Sequence, residues 1–177
     1  MAQILAFAGS NSSSSINFKL VQHTISLIDG HTTQSLNLAN YPFPMYSIDV
    51  EKNKGFSNSL VELKNDIQKA DALVLSVNEH NSNPSAFFKN VLDWLSRIDR
   101  KFFAETKILL MSTSGGKRGA IGALEVVANM IPRFGGEIVA TFSLPDFSNT
   151  FETGTGIIDM ELKMAHEKAL EAFLASI

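Results

Sequence analysis

Ile4-Leu5-Ala6-Phe7-Ala8-Gly9-Ser10-Asn11-Ser12-Ser13-Ser14-Ser15-Ile16-Asn17 is the stretch on which the fold turns. A strand-sized apolar run stops at a glycine and a run of hydroxyls. From Asn17 to Ile28, apolar residues then fall at 18, 20, 21, 25, 27 and 28, a pattern compatible with a helix packing one face. A strand apolar at every position needs a covering layer on both sides. The stretch therefore reads as strand, loop and helix of a βαβ unit.

Two further runs repeat the design. Ala72 to Val77 ends in Asn78-Glu79, and Lys107 to Met111 ends in Ser112-Thr113-Ser114-Gly115-Gly116. Thr32 to Leu38 alternates more and Glu137 to Phe142 is shorter, which places both nearer the sheet edges. Helical patterns fill the intervals at Leu60–Ile67, Phe87–Ile98, Ala120–Phe134 and Asp159–Ile177; Pro132 should end or kink the third of these near Ile131. Five parallel strands with helices on both faces make one α/β domain over residues 1–177, a doubly wound sheet. Such sheets bind ligands at the carboxyl ends of their strands, which directs attention to the loops at 9–17, 78–84 and 112–119.

Composition narrows the chemistry. With 177 residues, 45% hydrophobic and 19% charged, the chain has the makeup of one packed domain. A net charge of −3 gives no footprint for nucleic acid. Cysteine is absent, so thiol nucleophiles, zinc–thiolate sites and iron–sulfur clusters are excluded and redox work needs a borrowed cofactor. Met1 to Ala8 lacks the basic start and the length of a secretory signal, and no apolar run reaches the roughly 20 residues of a membrane span. A soluble, cytoplasmic protein without membrane contact is expected.

The serine loop suits a phosphate. Hydroxyls at 10, 12, 13, 14 and 15, the amide of Asn17 and the first-turn N–H groups of the following helix are all donors, assisted by the helix dipole. A serine run that merely caps the helix is the plainer alternative, and position after the first buried strand weighs against it. No Gly-Lys-Ser/Thr follows, and both the dinucleotide Gly-x-Gly-x-x-Gly and the hydrolase Gly-x-Ser-x-Gly are missing.

The second loop, Asn78-Glu79-His80-Asn81-Ser82-Asn83-Pro84, precedes Phe88-Lys89-Asn90-Val91-Leu92-Asp93-Trp94. Together these segments resemble the NADPH-dependent FMN reductase family, which includes quinone, azo-dye and chromate reductases. The family's Gly-Ser-x-x-x-x-Ser-x-Asn is matched by Gly9, Ser10, Ser15 and Asn17. Its Pro-Glu-Tyr-Asn and Leu-Lys-Asn-x-x-Asp-Trp resemble residues 78–81 and 88–94, and its Ser-plus-glycine turn is similar to Ser114-Gly115-Gly116 with Gly119. The likeness runs over residues 3 to 140.

What the resemblance implies is a flavodoxin-like α/β/α sandwich of strand order 2-1-3-4-5 that binds FMN. Ser10, Ser15, Ile16 and Asn17 would hold the phosphate, and Asn78, Glu79, His80, Asn81, Ser114, Gly115 and Gly116 the flavin ring. Hydride would pass from NADPH or NADH through FMN to a quinone, flavin or similar small acceptor. No side chain is assigned as acid or base and no metal is implied, since the flavin carries the chemistry. A homodimer or homotetramer is implied as well. The chain departs from the family at Ser12, where an Arg often stands, and at Asn78 and His80 in place of Pro and Tyr. A non-catalytic FMN electron carrier and a flavin-free binding module on the same scaffold are the alternative readings.

Other residues have plainer expectations. His23, His31 and His166 share no ligand spacing and read as surface residues, while Trp94, Phe87 and Phe88 read as core or subunit interface. Lys117-Arg118 reads as a solvated loop tip, with a dinucleotide's phosphates as the alternative contact. By resemblance, the loop Tyr41-Pro42-Phe43-Pro44-Met45-Tyr46 borders the flavin near a partner subunit.

Overall fold

The computed structural model describes residues 1–41 and 43–177, so Pro42 of the aromatic loop lies outside the described residues. The first apolar run forms β1 (Gln3–Ala8), flanked by β2 (Thr32–Leu36) and β3 (Ala72–Val77); β4 (Lys107–Thr113) and β5 (Glu137–Leu144) complete the sheet in the order β2-β1-β3-β4-β5. Every pairing is parallel, with Ile4 opposite Ala72 and Ala8 opposite Ser76. This is the expected strand order.

Alternation along the strands divides the core in two. Ile4, Ala6, Val74, Leu109 and Met111 point to the face covered by α1 (Ile16–Ser26) and the C-terminal helix, with Leu20, Val21 and Phe173 opposite them. Leu5, Phe7, Leu73, Leu75 and Leu110 point to the other face, where Leu63, Phe88, Leu92 and Val127 close on them. Those residues come from α3 (Asn58–Lys69), α4 (Ala86–Ile98) and α5 (Ile121–Met130). The edge strand β2 is exposed from Thr32 to Ser35, so its alternation marks an edge and not a half-buried face.

Pro132 acts as expected. The α-helix stops at Met130 and a 3-10 turn, Ile131–Phe134, carries the proline. Several short elements were not foreseen, among them a 3-10 turn at Leu38–Asn40 and a single helical turn at Phe147–Thr150. A short helix, α2 (Ile48–Lys54), is capped by Ser47 and stopped by Gly55 at φ 66°. Two two-residue hairpins, Glu79–His80 with Asn83–Pro84 and Phe151–Glu152 with Gly156–Ile157, lie beyond the ends of β3 and β5. The last helix is α6 (Met160–Leu174).

One histidine corrects the sequence reading. His166 is not on the surface: it is buried under α1, its Nε2 lies 2.8 Å from Thr24 Oγ1, and its ring stacks on the half-buried His23 at 5.6 Å. Burial, and secondarily His23, pushes its pKa down to about 4.

Candidate functional site

The loops leaving β1, β3 and β4 converge on an open cleft of about 300 Å³ at the carboxyl edge of the sheet. Its lining includes Ser10, Ser15, Ile16, Asn17, Asn78, Glu79, His80, Ser114 and Gly115 of the sequence-derived set, together with Ser12, Ser14 and Thr113. Asn81 and Gly116 stand outside that lining.

Asn17 is what aligns the three loops. Its Nδ2 donates to Thr113 O at 3.0 Å, while Oδ1 accepts from Thr113 N at 3.0 Å and from Ser76 Oγ at 2.7 Å. All the partners are buried at the ends of β3 and β4. The carboxamide is therefore a strap between strands, with its Oδ1 fully used. Gly9 brings in the next element: a Cβ there would sit 2.7 Å from the ring of buried Phe88, so only glycine lets α4 come this close. Ser85 caps α4 through Phe88 N and donates its hydroxyl to Gly9 O at 2.9 Å, fixing the second loop to the first.

The serine loop folds on its own hydroxyls. Ser12 N donates to Ser10 Oγ and Ser14 N to Ser12 Oγ, and Ser15 Oγ accepts from Phe18 N as the N-cap of α1. In Ser10 and Ser15 the oxygen accepts these bonds while the O–H hydrogen stays free to donate. Among the described residues, the backbone N–H groups of Ser13, Ile16 and Asn17 have no protein acceptor. Hydroxyls and first-turn N–H groups thus meet at the positive end of α1, the arrangement that binds oxyanions.

The second loop offers the opposite polarity. Asn78 Oδ1 is buried without a hydrogen-bond partner, whereas its Nδ2 lies 3.2 Å from His80 Nε2. An orphaned acceptor at a cleft wall calls for a donor from a ligand. Asn81 and Ser82, at φ 52° and 61°, form the two-residue turn of the hairpin, which carries Asn81 away from the cleft. The Glu79 carboxylate faces elsewhere: Oε2 accepts from Ala123 N at 2.9 Å. It caps α5, whose own N-cap residue, Ala120, makes no side-chain bond. Gly122 leaves the space for it, since a Cβ there would lie 2.8 Å from that oxygen.

In the third loop Ser114 Oγ accepts from Gly116 N at 3.3 Å, and Gly115 has open space where a side chain would be. The turn is held from behind, by Phe147 N on Ser114 O and Asp146 N on Gly116 O. Ser112 and Ser143 both donate to Gly119 O. Lys117 and Arg118 are exposed, as a loop tip should be. Thr113, missed in the sequence, lines the cleft because it is the last residue of β4.

The aromatic loop is clamped to α4. Asn90 Oδ1 accepts from Tyr46 N at 2.7 Å, and Pro44 O accepts from both Asn90 Nδ2 and Trp94 Nε1, at 3.0 and 2.8 Å. Tyr41, Phe43 and Phe87 stack in series beside it. Asn90 and Trp94, one turn apart on α4, thus share the task of holding Pro44 O.

Residues 2–147 match the NADPH-dependent FMN reductase family along that whole length, covering all three loops and α4. The chain belongs to this family of oxidoreductases. A quinone reductase of Escherichia coli is 26% identical over 122 residues, 63% of this chain and 65% of that protein. An NAD(P)H-dependent FMN reductase of Pseudomonas aeruginosa is 30% identical over 122 residues, 68% of this chain and 64% of the relative. The match thus spans just under two thirds of the length of these curated relatives. In three dimensions FerB, a flavoenzyme NAD(P)H:(acceptor) oxidoreductase from Paracoccus denitrificans, superposes with TM-score 0.80 at 21% identity, covering 99% of this chain and 96% of that one. At that identity the likeness concerns the fold, which is flavodoxin-like. The residues present suit FMN, the cofactor of the family: the donors of the serine loop fit its phosphate and the unpartnered Asn78 Oδ1 fits a ring N–H.

Proposed function

We propose that this protein is an FMN-dependent oxidoreductase that passes hydride from NADPH or NADH to a quinone, flavin or similar small acceptor. One observation carries the reading. Unpaired donors at the start of α1 and Asn78, whose buried Oδ1 has no partner, belong to a single cleft, a pairing of polarities that suits the phosphate and the ring edge of FMN. FMN, when bound, supplies the two-electron chemistry. The chain's own work is to bind and orient.

In this reading Ser10, Ser15, and the N–H groups of Ile16 and Asn17 hold the phosphate. Without an Arg at position 12, its charge is met by hydroxyls, backbone dipoles and the α1 macrodipole. Asn78, His80, Ser114 and Gly115 border the ring, with Gly115 keeping one approach clear. Glu79 and Asn81 contribute by shaping the hairpin that presents Asn78 and His80. Gly116 contributes through the N–H that orders Ser114.

The protein is further proposed to act as a cytoplasmic homodimer or homotetramer. Met45, Ile48, Phe56 and Val61, all exposed, lie along the single stretch between β2 and the middle of α3, and apolar exposure of this kind supports self-association. The test of function is anaerobic. FMN-loaded protein should lose its flavin absorbance on addition of NADPH or NADH and regain it with quinone. Loss of absorbance only with a reduced electron-transfer protein would identify a carrier, and failure to bind FMN a flavin-free module.

A further inference from the structure

On the flank of the molecule, α4 and the 3-10 turn Ile131–Phe134 border a second cleft of about 310 Å³ that shares no lining residue with the first. Lys89, Asp93 and Arg97 stand four residues apart on one face of α4, and Arg100 and Arg133 complete the polar wall. Two of the four cations are already matched: Lys89 pairs with Asp93 at 2.6 Å and Arg97 with Glu51 at 2.9 Å. Among the described residues Arg100 and Arg133 pair with no carboxylate. In a chain whose acidic residues outnumber its basic ones, 18 to 15, two uncompensated guanidinium groups meet at one cavity. Ser96, whose hydroxyl donates to Asp93 O, and half-buried Met130 and Phe134 complete the lining.

We propose that this cleft binds an anion of the phosphate class attached to an aromatic group, as in a mononucleotide. Arg100 and Arg133 grip the phosphate and Phe134 contacts the ring. Planar guanidinium forks match phosphate oxygens two at a time, which a lysine cluster does not. Glu51 keeps Arg97 in place: their mutual hydrogen bond holds the carboxylate below its ordinary range and the guanidinium above its own. The volume of about 310 Å³ lies within the range of small-ligand sites.

The experiment is calorimetric titration of the full chain, preloaded with one equivalent of FMN so that the serine loop is filled. AMP, inorganic phosphate and adenosine serve as separate probes. AMP should bind once per chain and adenosine not at all, with phosphate weaker than AMP. If phosphate equals AMP, the site reads only the anion and the aromatic half of the proposal falls. Arg100→Gln with Arg133→Gln should weaken AMP by about tenfold or more, each single variant showing part of the loss. Lys163→Gln with Lys168→Gln removes equal charge from α6 and should change little. Phe134→Leu should weaken AMP and spare phosphate. Equal loss in the two double variants, loss in neither, or a shift in association state without AMP binding would overturn the proposal. The last outcome would mark this face as a contact between copies.

Discussion

Replacing Asn17 with Ala separates a strap from a ligand. The variant deletes three hydrogen bonds and leaves the Thr113 N–H, the Thr113 carbonyl and the Ser76 hydroxyl without partners in a buried place. Each stranded group costs about 1–3 kcal/mol. Water entering the space of the lost side chain recovers some of this, so the net expectation is roughly 3–6 kcal/mol, a large share of the 5–15 kcal/mol typical of a domain. Urea denaturation followed by circular dichroism reads this directly. Because the strap aligns all three loops, FMN and riboflavin should weaken together. A stability loss under about 1 kcal/mol, with FMN weakened and riboflavin untouched, would refute the reasoning and make the carboxamide a phosphate ligand.

Three further outcomes follow from the packing. His166 has its pKa lowered from 6.5 to about 4, so the unfolded chain takes up a proton that the folded one refuses. The stability it contributes is complete above pH 6.5 and is lost as pH falls toward about 4, amounting to about 3 kcal/mol at the limit. His166→Phe should flatten a denaturation profile over that range, leaving the smaller slope of His23, whose pKa burial and Lys163 also depress. Gly9→Ala forces a methyl against the Phe88 ring and should cost about 1–3 kcal/mol in urea denaturation, with partial recovery in Gly9→Ala/Phe88→Leu. Glu79→Ala uncaps α5 and should cost about 1 kcal/mol. Faster amide exchange at Ala123 would locate that loss.

The sheet was legible because β1, β3 and β4 are buried on both faces and can be written in almost nothing but apolar residues. The cleft was legible by position, since polar loops that follow neighbouring parallel strands leave the sheet at the same edge. Individual roles were harder. Asn17 looks like a loop donor, yet residues 17, 20, 21 and 24 are the buried face of α1, and that spacing turns its side chain toward the sheet. His166 belongs to the same kind of pattern, with Leu170 and Phe173. The hairpin at 79–84 escaped notice because its turn is Asn81-Ser82, without the glycine that usually marks two positive φ values in succession. Helix α2 has no buried residue, so apolar periodicity had nothing to report.

The central claim is that the serine loop holds the phosphate of FMN, and the gap between FMN and riboflavin affinity measures it most directly. Ser10→Ala combined with Ser15→Gly removes two hydroxyl donors, and glycine at the N-cap costs α1 only a few tenths of a kcal/mol. Fluorescence titration of both flavins against the original protein and this variant gives four dissociation constants. FMN should weaken by about tenfold or more for each hydroxyl lost while riboflavin holds, so the gap closes. An unchanged gap in a folded variant would contradict the account and place the phosphate elsewhere, with Lys117 and Arg118 the next residues to test.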